Sequence, residues 1–154
     1  MEQRTTIVKK WRDRINAYYG PSGSEALMFR KVVRGPMNVA LKTRPCMFVF
    51  DNGQRRNAYN DNESEGRTLA IRTIAYLQET WDRTSNYEEW QDNIEILTRK
   101  MLTGDPADVG CTAVRYLNDE PLELVLLDGA APAVWVVDFE VDYFTEITRT
   151  GDWA

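Results

Sequence analysis

Histidine is missing from all 154 residues of the chain. With it go the side chain that most often moves protons near neutral pH, the Ser-His and Cys-His nucleophile pairs, and the commonest zinc ligand. Cysteine is scarce. Cys46 and Cys111 stand alone, each inside an apolar-rich run, and no Cys-x-x-Cys pair exists to build a zinc or redox motif. Buried thiols are expected there, not a disulfide framework. Neither G-x-x-x-x-G-K-[ST] nor G-x-G-x-x-G occurs. No run approaches the ~20 apolar residues that span a bilayer, so no membrane partner is expected. The opening "MEQRTTIVKKW" turns charged at once, without a signal peptide's apolar centre. The expectation is a soluble protein made in the cytoplasm, not an enzyme, with no cofactor and no bound metal.

What is present is ordinary globular material: 43% apolar and 28% charged residues, enough for one domain over 1–154. The net charge of -5 argues against binding nucleic acid by neutralising its phosphates, though not against letting DNA pass. Ile7, Val8, Trp11, Ile15, Tyr18 and Tyr19 recur at helical spacing, capped by Thr5 or Thr6 and stopped by Gly20-Pro21. Lys9, Lys10, Arg12, Asp13, Arg14 and Asn16 form the wet side of that helix. "ALMFRKVVR" and "RPCMFVFD" read as strands, the second apolar on both faces and therefore central. "RTLAIRTIAYLQ" alternates as a third. A second helix follows from Tyr87, with Trp90, Ile94, Leu97 and Met101 on one seam and Glu88 and Glu89 at its positive end. "CTAVRYL" and "LELVLL" are either a hairpin or one interrupted strand, and a last strand closes the chain before a short tail at 148–154. Without repeated strand-helix alternation, an α+β fold is predicted. It has a mostly antiparallel sheet of about four to five strands and two amphipathic helices packed on one face.

Three features ask for a role. In "AVWVVDFEVDYFTEI" the alternation puts Val137, Phe139 and Val141 on one face and Asp138, Glu140, Asp142 and Glu146 on the other. Paired carboxylates can share a cation or act as acid and base across a cleft. A flat ladder points its oxygens in parallel, however, and reads as a solvated or channel-facing surface. The second feature is the polar excursion at 51–66, a loop or a hairpin with a turn at Asn52-Gly53. Its Arg55, Arg56 and Tyr59, with Arg67 just beyond, are candidates for an intersubunit contact or a mixed solvated loop. The third is tryptophan. Trp11, Trp90 and Trp135 fit the apolar periodicity of the core, whereas Trp81 and Trp153 fall outside it.

The order of these elements resembles the tail terminator, or tail completion, proteins of long-tailed bacteriophages. The pieces that carry the resemblance are "TTIVKKWRDRINAYYG", "RPCMFVFD", "RTLAIRTIAYLQ", "NYEEWQDNIEILTRKML" and above all "VWVVDFEVDYFTE". The resemblance implies a structural virion protein that forms a homohexameric ring at the head-proximal end of the tail. Such a ring ends the tail tube and joins it to the head–tail connector. Implied partners are further copies of the chain, the tail tube protein, a connector or neck protein, and genomic DNA passing through without sequence-specific contact. The family carries no catalytic residues to transfer. Asp105–Gly110 and the extra strand around Leu122–Leu127 fit the pattern loosely and leave a sister role open, that of a head–tail connector or neck protein. A small metal-dependent hydrolase using the acidic ladder is the rival from another class.

Overall fold

The computed structural model describes residues 3–23, 28–35, 45–60, 64–77, 85–123 and 133–146. Helix α1 (Gln3–Tyr19) precedes strands β1 (Lys31–Arg34), β2 (Cys46–Asn60) and β3 (Ser64–Tyr76). Helix α2 (Ser85–Thr103), a 3-10 turn (Pro106–Val109), β4 (Ala113–Glu123) and β5 (Ala133–Glu146) complete the order. The fold is α+β, as expected. Five strands form one sheet in the order β1-β2-β3-β5-β4, with β1 parallel to β2 and every other pair antiparallel.

Both helices bury their apolar stripes on one face of this sheet. Ile7, Trp11 and Ile15 of α1 and Ile94, Leu97 and Met101 of α2 join Leu69, Ile71, Val137, Phe139 and Val141 in a single core. The Trp11 and Phe139 rings lie 4.9 Å apart, and Trp90 stacks on Phe29 at 5.8 Å. Trp135 is buried as well, and both cysteines are buried and free. Trp81, Trp153, Leu124–Leu127 and the tail at 148–154 lie outside the described residues. The opposite sheet face divides in two. Its lower end is apolar, with Cys46, Phe48, Val134 and Val136 buried, which is why "RPCMFVFD" lacks alternation. Its upper end carries the charges.

Some expectations need correction, and two alternatives left open by the sequence are decided. Helix α1 includes Gln3, ahead of the Thr5 or Thr6 cap read from sequence. The excursion at 51–66 is mostly paired chain, because β2 and β3 continue as one long hairpin past the body of β1. Asn52-Gly53 is no hairpin turn. Gly53 adopts φ 102 at a register shift between Asp51 and Gln54, and its N–H donates to Asp51 Oδ1 at 2.8 Å. An extra residue in the left-handed region is a β-bulge, a conformation glycine adopts without strain. "CTAVRYL" and the start of "LELVLL" form one strand, β4, irregular between Tyr116 and Asn118. That irregularity turns Tyr116 and Asp119 to the same face. There Asp119 accepts from the Tyr116 hydroxyl and from Trp135 Nε1, the latter at 2.8 Å. Burial and Asp119 together push the Tyr116 hydroxyl up to about 12.

Arg14 is the clearest departure. Read as part of the wet side, it is buried, and its Nη2 donates to the Asp105 carbonyl at 2.6 Å. It thereby ties α1 to the connection after α2. Gly104 makes room for it: a Cβ there would meet Arg14 Cζ at 2.7 Å. Gly104→Ala is therefore expected to destabilise the fold by about 1–3 kcal/mol through overpacking. A chemical denaturation midpoint equal to wild type would show that the guanidinium can move aside.

Candidate functional site

The acidic ladder sits on β5, which the topology places between β3 and β4. Each carboxylate therefore has two strand neighbours. Asp138 faces Arg72 on β3, Glu140 faces Arg115 on β4, and Asp142 faces Thr68 on β3. Directly opposed side chains on one sheet face lie close enough to pair. Arg72 donates through Nε and Nη2 to the two oxygens of Asp138, at 2.9 and 3.1 Å. Arg115 grips both oxygens of Asp142, at 2.5 and 2.7 Å, while the Thr68 hydroxyl donates to Oδ1 at 2.7 Å. Glu140 lies between two cations: Arg55 bonds its Oε2, and Arg115 Nε stands 3.7 Å from Oε1. Opposite Glu140 on β3 is Ala70, small enough to let Arg55 reach across that strand from β2.

The ladder, expected to be a solvated or channel-facing surface, is a lattice of ion pairs drawing on β2, β3, β4 and β5. Three arginines balance three carboxylates. The arginine side chains are 62%, 42% and 38% exposed (Arg55, Arg115, Arg72), and those of Glu140, Asp142 and Asp138 are 11%, 19% and 16%. Solvent meets guanidinium first and carboxylate beneath. The Arg115 hydrogen bonds, helped by Thr68, hold the Asp142 carboxyl below the usual carboxylate range against the opposing effect of burial.

Of the four residues read as one intersubunit element, the three arginines part company. Arg55 points to the ladder. Arg56 and Arg67 turn to the helix side, where both meet Glu65, at 3.1 and 3.4 Å. Nearby, Arg4 of α1 pairs with Asp51 and keeps that carboxyl low. With its amide oxygen toward Arg4 and Arg67, Gln54 donates to the Tyr143 hydroxyl at 2.6 Å. The side chains of Tyr59 and Glu146 lie outside the described part of the structure; their backbones belong to β2 and β5. Arg115 and Thr68 were not singled out from the sequence. Their roles depend on strand register, and no local pattern reveals which residue of β3 or β4 stands opposite Glu140 or Asp142.

Chemically, this arrangement is self-satisfied. Both oxygens of Asp138 and both of Asp142 are occupied by arginine, so a cation would have to displace a guanidinium that is already in place. Among the described residues, no group of three Cys, Asp or Glu side chains is arranged to hold a metal ion, and no helix is long and apolar enough to cross a membrane. Compared with protein-family models and with curated proteins, the chain matches none.

Proposed function

We propose that this chain is a structural virion protein of the tail terminator kind, assembling into a ring that ends the phage tail tube and meets the head connector. The observation that carries this reading is the charged face of β5. Among the described residues its carboxylates Asp138, Glu140 and Asp142 are committed to Arg72, Arg55 and Arg115, giving a charge-balanced wall in place of a reactive cluster. Such a wall suits a channel through which DNA slides, because it offers phosphate neither a strong excess of positive charge nor a bare acidic surface. The long β2–β3 hairpin and the closing strand β5 at the sheet's interior also agree with the elements that carry the resemblance.

The test is a tube-capping assay. Purified protein added to polymerising tail tube protein should shorten the tubes in proportion to its amount and should decorate one end only. Unchanged tube lengths together with binding to a connector ring would favour the neck-protein role instead. Unchanged lengths and no binding to either would contradict the proposal.

A further inference from the structure

We infer that the helix-side face of the β2–β3 hairpin binds a phosphate-type oxyanion between Arg56 and Arg67, with Arg4 behind them. Arg56 and Arg67 are direct cross-strand partners in the β2–β3 register. Like charges opposed in this way destabilise an antiparallel pair. Among the described residues, the carboxylate that relieves them is Glu65. Its Oε1 takes Arg56 Nε at 3.1 Å, and its Oε2 is 3.4 Å from Arg67 Nη2. One carboxylate thus serves two guanidinium groups.

Arg4 brings a third cation from the first turn of α1. Asp51 takes its Nε and Nη2. Its Nη1 reaches the Gln54 amide oxygen at 3.2 Å, and Arg67 Nη1 reaches the same oxygen at 3.1 Å. Two guanidinium groups from different elements therefore converge on one neutral atom. That oxygen satisfies their N–H donors but leaves their charge unopposed. Among the described residues, three arginines here meet two carboxylates, Asp51 and Glu65. On the reverse face of the same sheet three arginines meet three carboxylates, so the uneven count belongs to this face.

A solute can reach the cluster. The side chains of Arg56, Arg4 and Arg67 are 66%, 38% and 37% exposed. Strand β1 ends opposite Val49, so β2 is an edge strand at the level of Arg56. Guanidinium groups present planar forks of N–H donors that match phosphate oxygens. A phosphate supplies the third negative charge that the cluster lacks. Its tetrahedral oxygens can accept from donors arriving from α1, β2 and β3 at once, whereas a planar carboxylate faces one fork at a time. In this reading Gln54 holds the seat in the absence of the ion. The inference does not depend on the ring reading.

The experiment is calorimetric titration of sodium phosphate into wild type, Arg67→Gln and Gln54→Glu at pH 7 and constant ionic strength, with sodium acetate run in parallel. Thermal melting checks that each variant folds. Wild type should bind phosphate saturably, in the millimolar range or tighter, and acetate at least about tenfold more weakly. Arg67→Gln should weaken phosphate binding at least about tenfold, by loss of charge-assisted hydrogen bonds. Gln54→Glu places a carboxylate where the two guanidinium groups converge. It should melt higher than wild type without phosphate and should no longer bind phosphate. A wild type that shows no saturable phosphate binding overturns the inference and leaves the ring reading where it was. Phosphate binding that is unchanged in both variants puts the ion elsewhere and overturns it too. Acetate binding as tight as phosphate would overturn the phosphate assignment.

Discussion

Truncating Phe139 to alanine is expected to cost about 3–5 kcal/mol, as large-to-small changes of aromatic core residues do. Phe139 is fully buried at the middle of β5, a strand with neighbours on both sides. Its ring meets Trp11 at 4.9 Å and Tyr116 at 6.1 Å, so it joins α1 to the edge strand β4. Neither neighbour can fill the void alone, because Trp11 is fixed on its helix and Tyr116 is tethered to Asp119. Trp90→Ala belongs to the same class, since Trp90 stacks on Phe29 beneath α2. Urea denaturation is the measurement. A change below about 0.5 kcal/mol for Phe139→Ala would be the mark of a surface site and would remove it from the core.

The second large effect concerns the ladder, and its sign depends on the arginines. If the acids stood alone on a wet face, neutralising them would relieve repulsion and leave stability unchanged or slightly improved. Because Arg72, Arg115 and Arg55 meet them, the triple variant Asp138→Asn, Glu140→Gln, Asp142→Asn is expected to lose about 2 kcal/mol. That lies between the 0.2–1 kcal/mol typical of exposed pairs and the 3–5 kcal/mol for breaking a buried one. The partial exposure of the arginines keeps the value from the upper end. The pH dependence follows. Asp142 and Asp51 have carboxyls held below the ordinary value of 3.8, by Arg115 and Arg4 respectively. The stability they contribute is complete above that value and is lost as pH falls through their own lower ones. Stability should therefore decline in the window below about pH 4, and the gap between wild type and the triple variant should narrow there. A triple variant as stable as wild type at pH 7 would show that the ion pairs contribute nothing. The same variant serves the hydrolase rival: calcium or magnesium should not raise the melting temperature of wild type if the arginines already fill the site.

The parts of the fold that follow from periodicity were legible in the chain. Trp11 and Ile15, or Ile94 and Leu97, repeat every three to four residues, and Val137, Phe139 and Val141 every two. Each pattern names its own buried face without reference to any other segment. What depends on two segments meeting was not legible. Arg14 lies near the edge of a polar stripe, and only the approach of Gly104 and Asp105 makes a pocket for it. Arg115 is the single arginine of a mostly polar strand, with no marked role until the register sets it against Glu140. Gly53 looked like a turn because Asn-Gly usually is one, but the β2–β3 ladder resumes beyond it, with Gln54 opposite Leu69 and Arg55 opposite Thr68, and leaves it a bulge. The ladder was visible as alternating acids, whereas its neutralisation was not, since its cations come from three other strands.

The central claim is that this chain assembles into a ring, and the most direct measurement is the mass of the purified protein in solution, followed by negative-stain imaging of the same sample. The account predicts a closed particle of about six chains of 17.8 kDa each, seen as an annulus with an open centre. A single 17.8 kDa species at every concentration and ionic strength would contradict it.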